Sequence, residues 1–379
     1  MRGLEGIRVL AFEHAWAGPY GTMMLADMGA DVVRVEPPGV GDHVRMWTGN
    51  DLGGLSPHFL SANRNKRSVV LDLKSEDGLA TALRLVAQAD VVVENFAPGA
   101  LRRLGLDADS LRAEHPALIY CSVSGFGQYG PYAARRAYDL LVQAESGLIA
   151  VTGQDEDTLA KVGVPVIDVM AGMVAAFSVV SAVLRRQVTG EGATVDLAML
   201  DIAASVMSFN LLTYGLSGSI PRPMGTAHPL LAPYEVLRAA DGPIAIAILT
   251  EEHWRTFCGI LGRPDLVADP DFATAPYRRD NRQRLNAELN AELARWSCAD
   301  LMAALDSAGL AFGRVNDVAT LLEHEQLEHR GFFEEWELDG TRVRAAGAPW
   351  LPGEKVTERM PPPVPGQDTA EVLEEWLGG

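Results

Sequence analysis

One aspartate lies between two apolar segments and is the residue best suited to covalent chemistry. Asp168 follows the apolar residues 164–167 and precedes a predicted helix that opens with the small side chains of residues 169–176. A carboxylate in this place is partly desolvated, while the dipole of the helix favours its ionised form, and both effects suit a nucleophile. The alternative is a helix N-cap, which composition alone favours and which can coexist with catalysis.

Two loops rich in glycine or arginine could contact a ligand. Residues 125–130 contain three glycines, which allow close approach of the backbone to a ligand, and Arg135 and Arg136 follow, which could bind phosphate. Residues 95–103 directly follow an apolar strand. A plain surface loop is the alternative for either segment alone. Because both fall near one predicted sheet edge, they favour a ligand site at that edge.

Other familiar motifs are incomplete. Gly18 and Gly21 lack the G-x-G-x-x-G spacing that brings a backbone close to a pyrophosphate. His324 and His329 are five residues apart, whereas a zinc-binding helix places its two histidines four apart on one face. A solvated, charged helix end is the better interpretation of this pair. The sequence therefore favours neither a dinucleotide site nor a metal site.

The elements that must position these residues are typical of a doubly wound, Rossmann-like α/β fold. Uniformly apolar strands are covered on both faces, and such sheets bind ligands at the carboxyl ends of their strands. The runs that predict strands, with helical segments between most of them, are residues 7–12, 31–36, 67–73, 90–94 and 117–123.

Composition and element spacing divide the chain into four stretches. We expect a large α/β domain over residues 1–200, a linker helix and loop over 201–223, a small α+β domain over 224–318 and a C-terminal segment over 319–379. The long apolar helix after Asp168 is predicted to be a buried core helix. A membrane span is disfavoured because a mid-membrane aspartate costs about 2.5–3.5 kcal/mol and because the helix is short for a bilayer.

The charge of the chain excludes some partners. A net charge of −18 over 379 residues opposes phosphate backbones, so nucleic acid is not an expected partner. Residues 1–136 hold 14 basic and 15 acidic side chains, against 18 and 35 in the remainder, so an anionic ligand is expected in the first third. The three scattered cysteines and the lack of a visible signal segment indicate a cytoplasmic protein.

Taken together, these residues resemble the family III CoA-transferases, the group that includes formyl-CoA transferase and carnitine CoA-transferase. The similarity is extensive and weakens toward the C-terminus. The matching motifs, in order, are residues 4–10, 14–19, 29–36, 65–68, 94–99, 125–127, 137–139, Asp168 and residues 189–192.

The resemblance implies a covalent mechanism on Asp168. In the family this carboxylate forms a mixed anhydride with the acyl group and then an aspartyl thioester with CoA, so the CoA thioester is a substrate and no cofactor is permanently bound. Substrate or oxyanion contacts are implied for Trp16, Gly125, Gly127, Gln128, Tyr138 and Asp139. A CoA site is implied for His14, Ala15, Arg45, Leu71, Lys74, Asn95, Phe96, Arg103 and Arg136. The resemblance also implies an interlocked homodimer, with the C-terminal segment returning to the large domain.

Two alternatives to CoA transfer remain at this point. The α-methylacyl-CoA racemases resemble this chain but use a histidine where it has Tyr138. A tyrosine, with a reference pKa of about 10, is a poor base at neutral pH, which favours transfer over racemisation. A CoA-binding protein without catalysis is the other alternative, and the presence of Asp168 disfavours it.

The resemblance also bears on the acceptor acid. Formyl-CoA transferase has a glutamine where this chain has Trp16, and a run of glycines in its small domain that is not found here. Residues 225–229 and 232–234 are similar to relatives that use succinyl-CoA with C4 to C6 dicarboxylic acids. Arginine and histidine side chains of that domain could bind the distal carboxylate. We therefore expect a dicarboxylyl-CoA donor and a small dicarboxylate acceptor.

Overall fold

Short runs of branched apolar side chains form most of the strands, because such residues favour an extended, buried backbone. The computed structural model describes residues 3–48, 56–338, 340–351 and 359–378. Its strands are β1 (Arg8–Phe12), β2 (Asp31–Glu36), β3 (Arg67–Val70), β4 (Val91–Glu94), β5 (Ile119–Ser124), β6 (Thr194–Ala198), β7 (Tyr234–Ala239), β8 (Gly242–Ala247), β9 (Ala311–Arg314), β10 (Phe333–Leu338) and β11 (Thr341–Ala346).

The helices alternate with these strands in the first half of the chain. They are α1 (Ala17–Asp27), α2 (Pro57–Leu60), α3 (Glu76–Val86), α4 (Ala108–Glu114), α5 (Asp139–Glu145), α6 (Val166–Thr189), α7 (Met199–Val206), α8 (Ser208–Ser217), α9 (Glu251–Leu261), α10 (Pro264–Ala268), α11 (Ala275–Asp280), α12 (Arg282–Leu293), α13 (Cys298–Ser307), α14 (Val318–Leu322), α15 (Glu325–His329) and α16 (Thr369–Leu377).

The central sheet is parallel. Its strand order is β3-β2-β1-β4-β5-β6, which is the order of a doubly wound sheet. Val9 of β1, for example, lies opposite Val32 of β2 and Val91 of β4. The predicted α/β class with a parallel central sheet is therefore confirmed.

Successive residues of the strands supply two separate cores, as the alternation of side chains across a sheet requires. Val9 and Val91 belong to the core under α1 and α6. Leu10 and Val92 belong to the core on the other face, where side chains of α3, α4 and α16 cover the sheet. Both faces of the sheet are thus buried, which explains the uniformly apolar strands in the sequence.

Two glycines allow α1 and α6 to cross at close range. A Cβ atom built on Gly172 would lie 2.8 Å from the Gly21 amide nitrogen and 2.9 Å from the Ala17 carbonyl oxygen. A Cβ atom on Gly21 would lie 2.8 Å from the Gly172 carbonyl oxygen. No side chain fits at either position without a shift of the backbone. This contact fixes the first turns of the two helices against each other.

The long helix α6 is not buried on all sides, so the prediction of a buried core helix is wrong for one of its faces. Ala171, Ala175 and Val179 pack in the core, whereas Met173 is exposed and Phe177 is 76% exposed. The helix has 24 residues, more than predicted, and its apolar composition runs around its whole circumference. By length and composition alone α6 could cross a membrane, as could α7 and α8 if that pair, bent by 61°, counts as one span.

The C-terminal residues 359–378 pair with the edge of the central sheet. The Ser68 amide donates to Asp368 Oδ2 at 2.7 Å, and the Trp376 indole donates to Asp31 Oδ2 at 2.8 Å. Val372 and Trp376 are buried in the core beside α3. The helix α16 therefore covers β3 and completes this face of the sheet.

The chain forms two compact units whose bounds differ from the four predicted stretches. The first unit comprises residues 1–148, 161–219 and 329–379, and the second comprises residues 149–160 and 220–328. Residues 149–160 join the second unit through contacts such as the Gly225 amide donating to the Gly153 carbonyl at 2.8 Å. Such a long-range contact leaves no local signal in the sequence.

The stretch predicted as a linker helix and loop contains parts of two helices, because the helix breaks at Met207 into α7 and α8. The second unit has its own core. Its antiparallel sheet, in the order β7-β8-β9, carries buried Ile244 and Ile246, which pack with Trp254 and Phe257 of α9.

Alanine at position 172 tests the close helix crossing. We expect Gly172→Ala to lower the free energy of unfolding by roughly 1–3 kcal/mol, because the new methyl group would meet backbone atoms that cannot rotate away. Urea unfolding followed by circular dichroism measures the change. The matched control is Gly259→Ala at an exposed position on α9, where nothing lies within 4 Å of the new methyl group and helix propensity should add up to about 1 kcal/mol. Equal midpoints for the two variants would contradict a close crossing.

Candidate active site

Asp168 is the third residue of α6 and is half-buried in its first turn. The N-cap position belongs to Pro165, which makes no side-chain capping bond. The N-cap interpretation of Asp168 is therefore wrong. Within the described residues, no donor forms a hydrogen bond with the Asp168 carboxylate. The side chain is thus available to react.

The capping function at α6 is performed by Asp139, which comes from another helix. Asp139 is the first residue of α5, and its Oδ1 accepts from the amides of Ile167 at 2.8 Å and Asp168 at 3.2 Å. These amides belong to the first turn, whose donors have no partners inside their own helix. Asp139 is buried, and its other oxygen accepts from the Gln143 side-chain amide.

Two negative groups therefore share the start of α6. Burial, and then the charge of Asp139, raise the pKa of Asp168 from 3.8 to about 7. The expectation that the helix dipole holds Asp168 ionised is wrong in this respect. The physical reason is that Asp139, and not Asp168, accepts from the helix amides and brings a like charge with it.

Trp16 borders a large apolar cavity next to the first turn of α6. The residue precedes α1, and the cavity measures about 800 Å³. Val164 and Val169 line the same cavity on either side of Asp168 in sequence. Tyr20 and Trp350 supply further aromatic walls, and their rings are 6.0 Å apart. A hydrocarbon chain fits this lining.

The glycine-loop residues implied as oxyanion contacts lie in the loop after β5, and Gly127 and Gln128 of this loop lie beside β6. A Cβ atom on Gly125 would collide with the Ala137 side chain, and Gly127 has a φ of +84°. The Gln128 amide donates to the Asp196 carboxylate at 3.2 Å, and Gln128 lines a separate cavity of about 180 Å³ with Glu94 and Asp196. Among the described contacts, none joins Gln128 to Asp168.

Tyr138 occupies the N-cap of α5 and is 60% exposed. It is adjacent in sequence to Asp139, which contacts the Asp168 amide. Of the polar side chains implied by the resemblance, the structure therefore brings Asp139 into direct contact with the turn of Asp168.

Four of the residues implied for CoA line one cavity of about 350 Å³. His14, Leu71, Lys74 and Phe96 belong to its wall. The rings of His14 and Phe96 stack at 5.2 Å, which gives the cavity a flat aromatic side. Burial lowers the pKa of His14 and so favours its neutral form. A planar aromatic base fits against such a wall.

Asn95 serves the backbone of the adjacent turn. Its Oδ1 accepts from the His14 amide and its Nδ2 donates to the His14 carbonyl, each at 2.9 Å. This amide bridge holds the next residue, Ala15, at a φ of +59°, a conformation that non-glycine residues seldom adopt. Asn95 and Ala15 therefore shape the turn between β1 and α1.

The three implied arginines differ in their surroundings. Arg45 makes two hydrogen bonds to Glu36, at 2.9 and 2.7 Å, and lies over the ring of Phe59. Burial would raise the pKa of Glu36, but the charges of Arg34 and Arg45 outweigh burial and lower it to about 2. Arg103 and Arg136 are exposed and lie outside the described lining of the cavity beside His14.

Several arginines of the second unit are paired within the protein itself. Arg282 donates to Glu235 and to the carbonyls of His228 and Leu231. The ring of His228 stacks on Tyr234 at 4.9 Å. Among the described residues, no group of three or more His, Cys, Asp or Glu side chains could hold a metal ion.

Sequence reasoning did not identify Gln143. It lies four residues after Asp139 on α5, so the two side chains share one face of the helix. Its Oε1 also accepts from the Val162 amide at 3.0 Å. The spacing is a usable signal, but a polar pair at this distance is common on exposed helices as well.

The comparison with protein families decides the identity. The model of CoA-transferase family III matches residues 4–369. The chain belongs to CoA-transferase family III. The resemblance of the sequence motifs is thereby confirmed, and the protein is an enzyme of the CoA-transferase class, which uses CoA thioesters as substrates.

Relatives and solved structures agree with this family. The succinate–glutarate CoA-transferase of Agrobacterium fabrum is 36% identical over 98% of this chain and 95% of that protein. The succinyl-CoA:mesaconate CoA-transferase of Haloarcula hispanica is 36% identical over 99% of this chain and 96% of that protein. A CAIB/BAIF family protein from Brucella suis has a TM-score of 0.88 at 35% identity, covering 99% of both chains.

The raised pKa of Asp168 affects stability in a way that can be measured. A carboxyl group whose pKa is higher in the folded chain than in the unfolded chain loses folding stability as the pH rises between the two values. We expect the Asp168→Asn variant to have the folding stability of the wild type near pH 4, and to become more stable than the wild type as the pH rises to about 7. The gain should be on the order of 2 kcal/mol, because part of the hydration is kept.

Thermal midpoints measured from pH 4 to 8 test this expectation. Asp201→Asn, at an exposed position on α7, is the matched control and should keep the pH dependence of the wild type. A difference between Asp168→Asn and the wild type that stays constant with pH would show that Asp168 does not titrate in this range.

Proposed function

We propose that this enzyme moves CoA from a dicarboxylyl-CoA, such as succinyl-CoA, to a small dicarboxylic acid by way of Asp168. The observation that carries the proposal is the position of the Asp168 carboxylate. It lies half-buried at a helix start, beside the buried carboxylate of Asp139, and has no hydrogen-bond donor among the described residues. In a chain that belongs to the CoA-transferases, such a group suits a covalent carrier.

The reaction follows the steps that the family resemblance implies, and bonds and charge balance at each step. A carboxylate oxygen of Asp168 adds to the thioester carbonyl, the C–S bond breaks, and its electron pair leaves with the CoA thiolate. The thiolate then attacks the carbonyl of Asp168 in the mixed anhydride, that C–O bond breaks, and the donor acid leaves as a carboxylate. The acceptor carboxylate reverses both steps and restores Asp168. No proton is needed, but water must be kept out.

The names of the relatives support a dicarboxylate acceptor. Those relatives are named for succinate with glutarate, for succinyl-CoA with mesaconate and for succinyl-CoA with D-citramalate. The cavity beside Trp16 offers apolar walls for the carbon chain of such an acid. The sequence predicts that arginine or histidine side chains of the small domain bind the distal carboxylate of the acid. Arg282 of that domain pairs with Glu235, which weakens the prediction for this residue.

The cavity beside His14 supports a CoA site in the first unit. His14 and Phe96 offer a stacked wall, and Lys74 offers a charge for phosphate. Four acidic residues also line it, and three of them are paired with cations: Glu13 with Lys66, Glu36 with Arg34 and Arg45, and Asp42 with Arg34. We propose that Asn95 and Ala15 act through the turn that they build, and that Arg103 and Arg136, which are exposed, reach the phosphates from outside the cavity.

Exposed apolar helix surface supports a homodimer, which the resemblance implies to be interlocked. Phe177 on α6 is 76% exposed, Leu216 on α8 is 88% exposed, and no residue of α8 is buried. Apolar surface of this kind usually marks an interface. We propose that a second copy of the chain, and not a membrane, covers it.

Light scattering tests the homodimer. In buffer without detergent, the purified protein should have twice the mass of one chain, and Leu216→Glu with Phe177→Glu should shift it toward the monomer because a buried charge opposes association. Val364→Glu, at an exposed position in the C-terminal segment, is the control and should stay dimeric. A monomeric wild type, or one that sediments with lipid vesicles, would rule out this assignment.

Removing the carboxylate of Asp168 tests the function. Asp168→Ala should abolish CoA exchange between succinyl-CoA and a panel of dicarboxylates, while CoA binding measured by calorimetry stays within a few-fold of the wild type. Hydroxylamine or borohydride added during turnover should modify the wild type at Asp168. Modification at another residue would mean that the nucleophile is wrong.

The same panel separates the alternatives. Transfer without exchange of the α-proton supports the proposal, and exchange of the α-proton without transfer would support a racemase. Turnover with monocarboxylates alone would reject the dicarboxylate assignment while leaving the nucleophile intact.

A further inference from the structure

A buried amide side chain braces the turn that carries Asp168. Gln143 is 0% exposed, and both ends of its side-chain amide are used. Its Nε2 donates to Asp139 Oδ2, and its Oε1 accepts from the Val162 amide at 3.0 Å. A buried amide with both ends satisfied has one orientation, so it can act as a rigid bridge.

The bridge holds the chain on both sides of the entrance to α6. On one side it binds Val162, and on the other Asp139 Oδ1 accepts from Ile167 and Asp168. Pro165, which lies between these points, offers no capping side chain. We call Asp139 and Gln143 the α5 clamp. The clamp determines where the backbone of Asp168 lies.

We propose that the α5 clamp positions Asp168 for acyl and CoA transfer, and that the charge of Asp139 raises the free energy of the free Asp168 carboxylate relative to its acylated forms. The inference rests on the proposed function, because it assigns a role within the covalent cycle on Asp168. Asp139 and Gln143 are positioning residues and contact no reacting atom.

The energetic effect follows from the charges along the cycle. Before the reaction, Asp168 and Asp139 are like charges at the same helix start. In the anhydride and in the thioester Asp168 is neutral, and its negative charge has moved first to the CoA thiolate and then to the departing acid. The repulsion by Asp139 is therefore present in the free enzyme and absent in the covalent intermediates. Covalent enzyme is favoured by that difference.

The other charged or titratable groups on the elements packed against α6 do not share this role. Asp139 is the group whose charge adds to burial in raising the pKa of Asp168 to about 7. Asp27 is bound by Arg64, Glu145 by Arg135, and Asp196 by the Gln128 amide. The remaining groups on these elements are Tyr20 on α1, Tyr120 and Cys121 on β5, Asp201 on α7, and Arg185 and Arg186 at the far end of α6.

Variants of the two clamp residues test the charge of the clamp independently of its hydrogen bonds. Asp139→Asn removes the charge and places an amide donor against the Gln143 donor. Combining Asp139→Asn with Gln143→Glu restores an acceptor for that donor and for the Val162 amide. All the hydrogen bonds of the clamp can then form, but the negative charge is carried by residue 143, which is separated from the Asp168 amide by the side chain of residue 139. Gln143→Leu breaks the bridge and keeps the charge of Asp139.

The readouts are the pH profile of kcat/KM for the donor and the fraction of enzyme trapped on Asp168. In the wild type kcat/KM should rise with pH through about 7, because the ionised carboxylate is the nucleophile. Asp139→Asn should move this inflection to lower pH by one unit or more. A smaller fraction of this variant should be trapped on Asp168, and its maximal rate should fall roughly tenfold to a hundredfold. The double variant should regain most of the maximal rate but keep the lowered inflection. Gln143→Leu should lose rate with the inflection unchanged.

Two results would overturn the inference. One is an Asp139→Asn enzyme with the inflection and trapped fraction of the wild type. The other is a double variant whose rate is no better than that of Asp139→Asn although its thermal midpoint is restored. Failure of the proposed function has a different signature, since the wild type itself would then show no trapped Asp168. Thermal midpoints and CoA binding of each variant identify a fold that is lost altogether.

Discussion

The close crossing of α1 and α6 is the contact on which the site depends. With Gly21 and Gly172 in close contact, the helices meet about one turn after Trp16, which precedes α1, and one turn after Asp168 on α6. Any larger side chain at the crossing would separate the two first turns. The requirement for small residues after Asp168, visible in the sequence, is therefore a requirement of geometry more than of helix propensity.

A buried ion pair is a second constraint on the start of α1. Glu13 follows β1, and its two oxygens accept from Lys66 Nζ and Thr22 Oγ1, each at 2.7 Å. Lys66 also donates to the Pro19 carbonyl in the first turn of α1. Burial lowers the pKa of Lys66 to about 8 against the opposing charge of Glu13. Buried pairs of this kind add little net stability, but removal of one partner is costly, so the pair specifies one arrangement of the turn.

The fold could be predicted from the sequence to the extent that it follows from local patterns. Apolar runs around Val9, Val33 and Val92 predict buried strands, and the helical segments between most of the strands predict that the strands are parallel. The exposed face of α6 could not be predicted, because an apolar face covered by the same chain and one left open have the same composition. The break at Met207 and the assignment of residues 149–160 to the second unit depend on long-range contacts such as that between Gly153 and Gly225.

The candidate site, like the fold, could be predicted only in part from the sequence. The sequence around Asp168 identifies a reactive carboxylate, and the family resemblance adds the residues that line the cavity beside His14. Neither predicts that the cap of α6 comes from Asp139 on another helix, or that Gln143 braces it. A buried amide and an exposed one look alike in a sequence, and the difference between them is the partner that the fold supplies.

A carboxylate with a raised pKa also suits the chemistry of exchanging a thioester for an anhydride. When Asp168 adds to a thioester, the intermediate can expel either the carboxylate or the thiolate, and the weaker base leaves faster. An ordinary aspartate has a pKa of about 3.9 and a thiol one of about 8.5, so the carboxylate would be expelled again almost every time. Raising the pKa of Asp168 to about 7 brings the two leaving groups closer together. The neighbouring carboxylate of Asp139 lowers the stability of the fold. In the proposed mechanism, however, it favours the forward step, in which the thiolate leaves. The same argument explains why no cation among the described residues needs to pair with Asp168. A cationic partner would lower the pKa of Asp168 again, into the range in which the forward step fails.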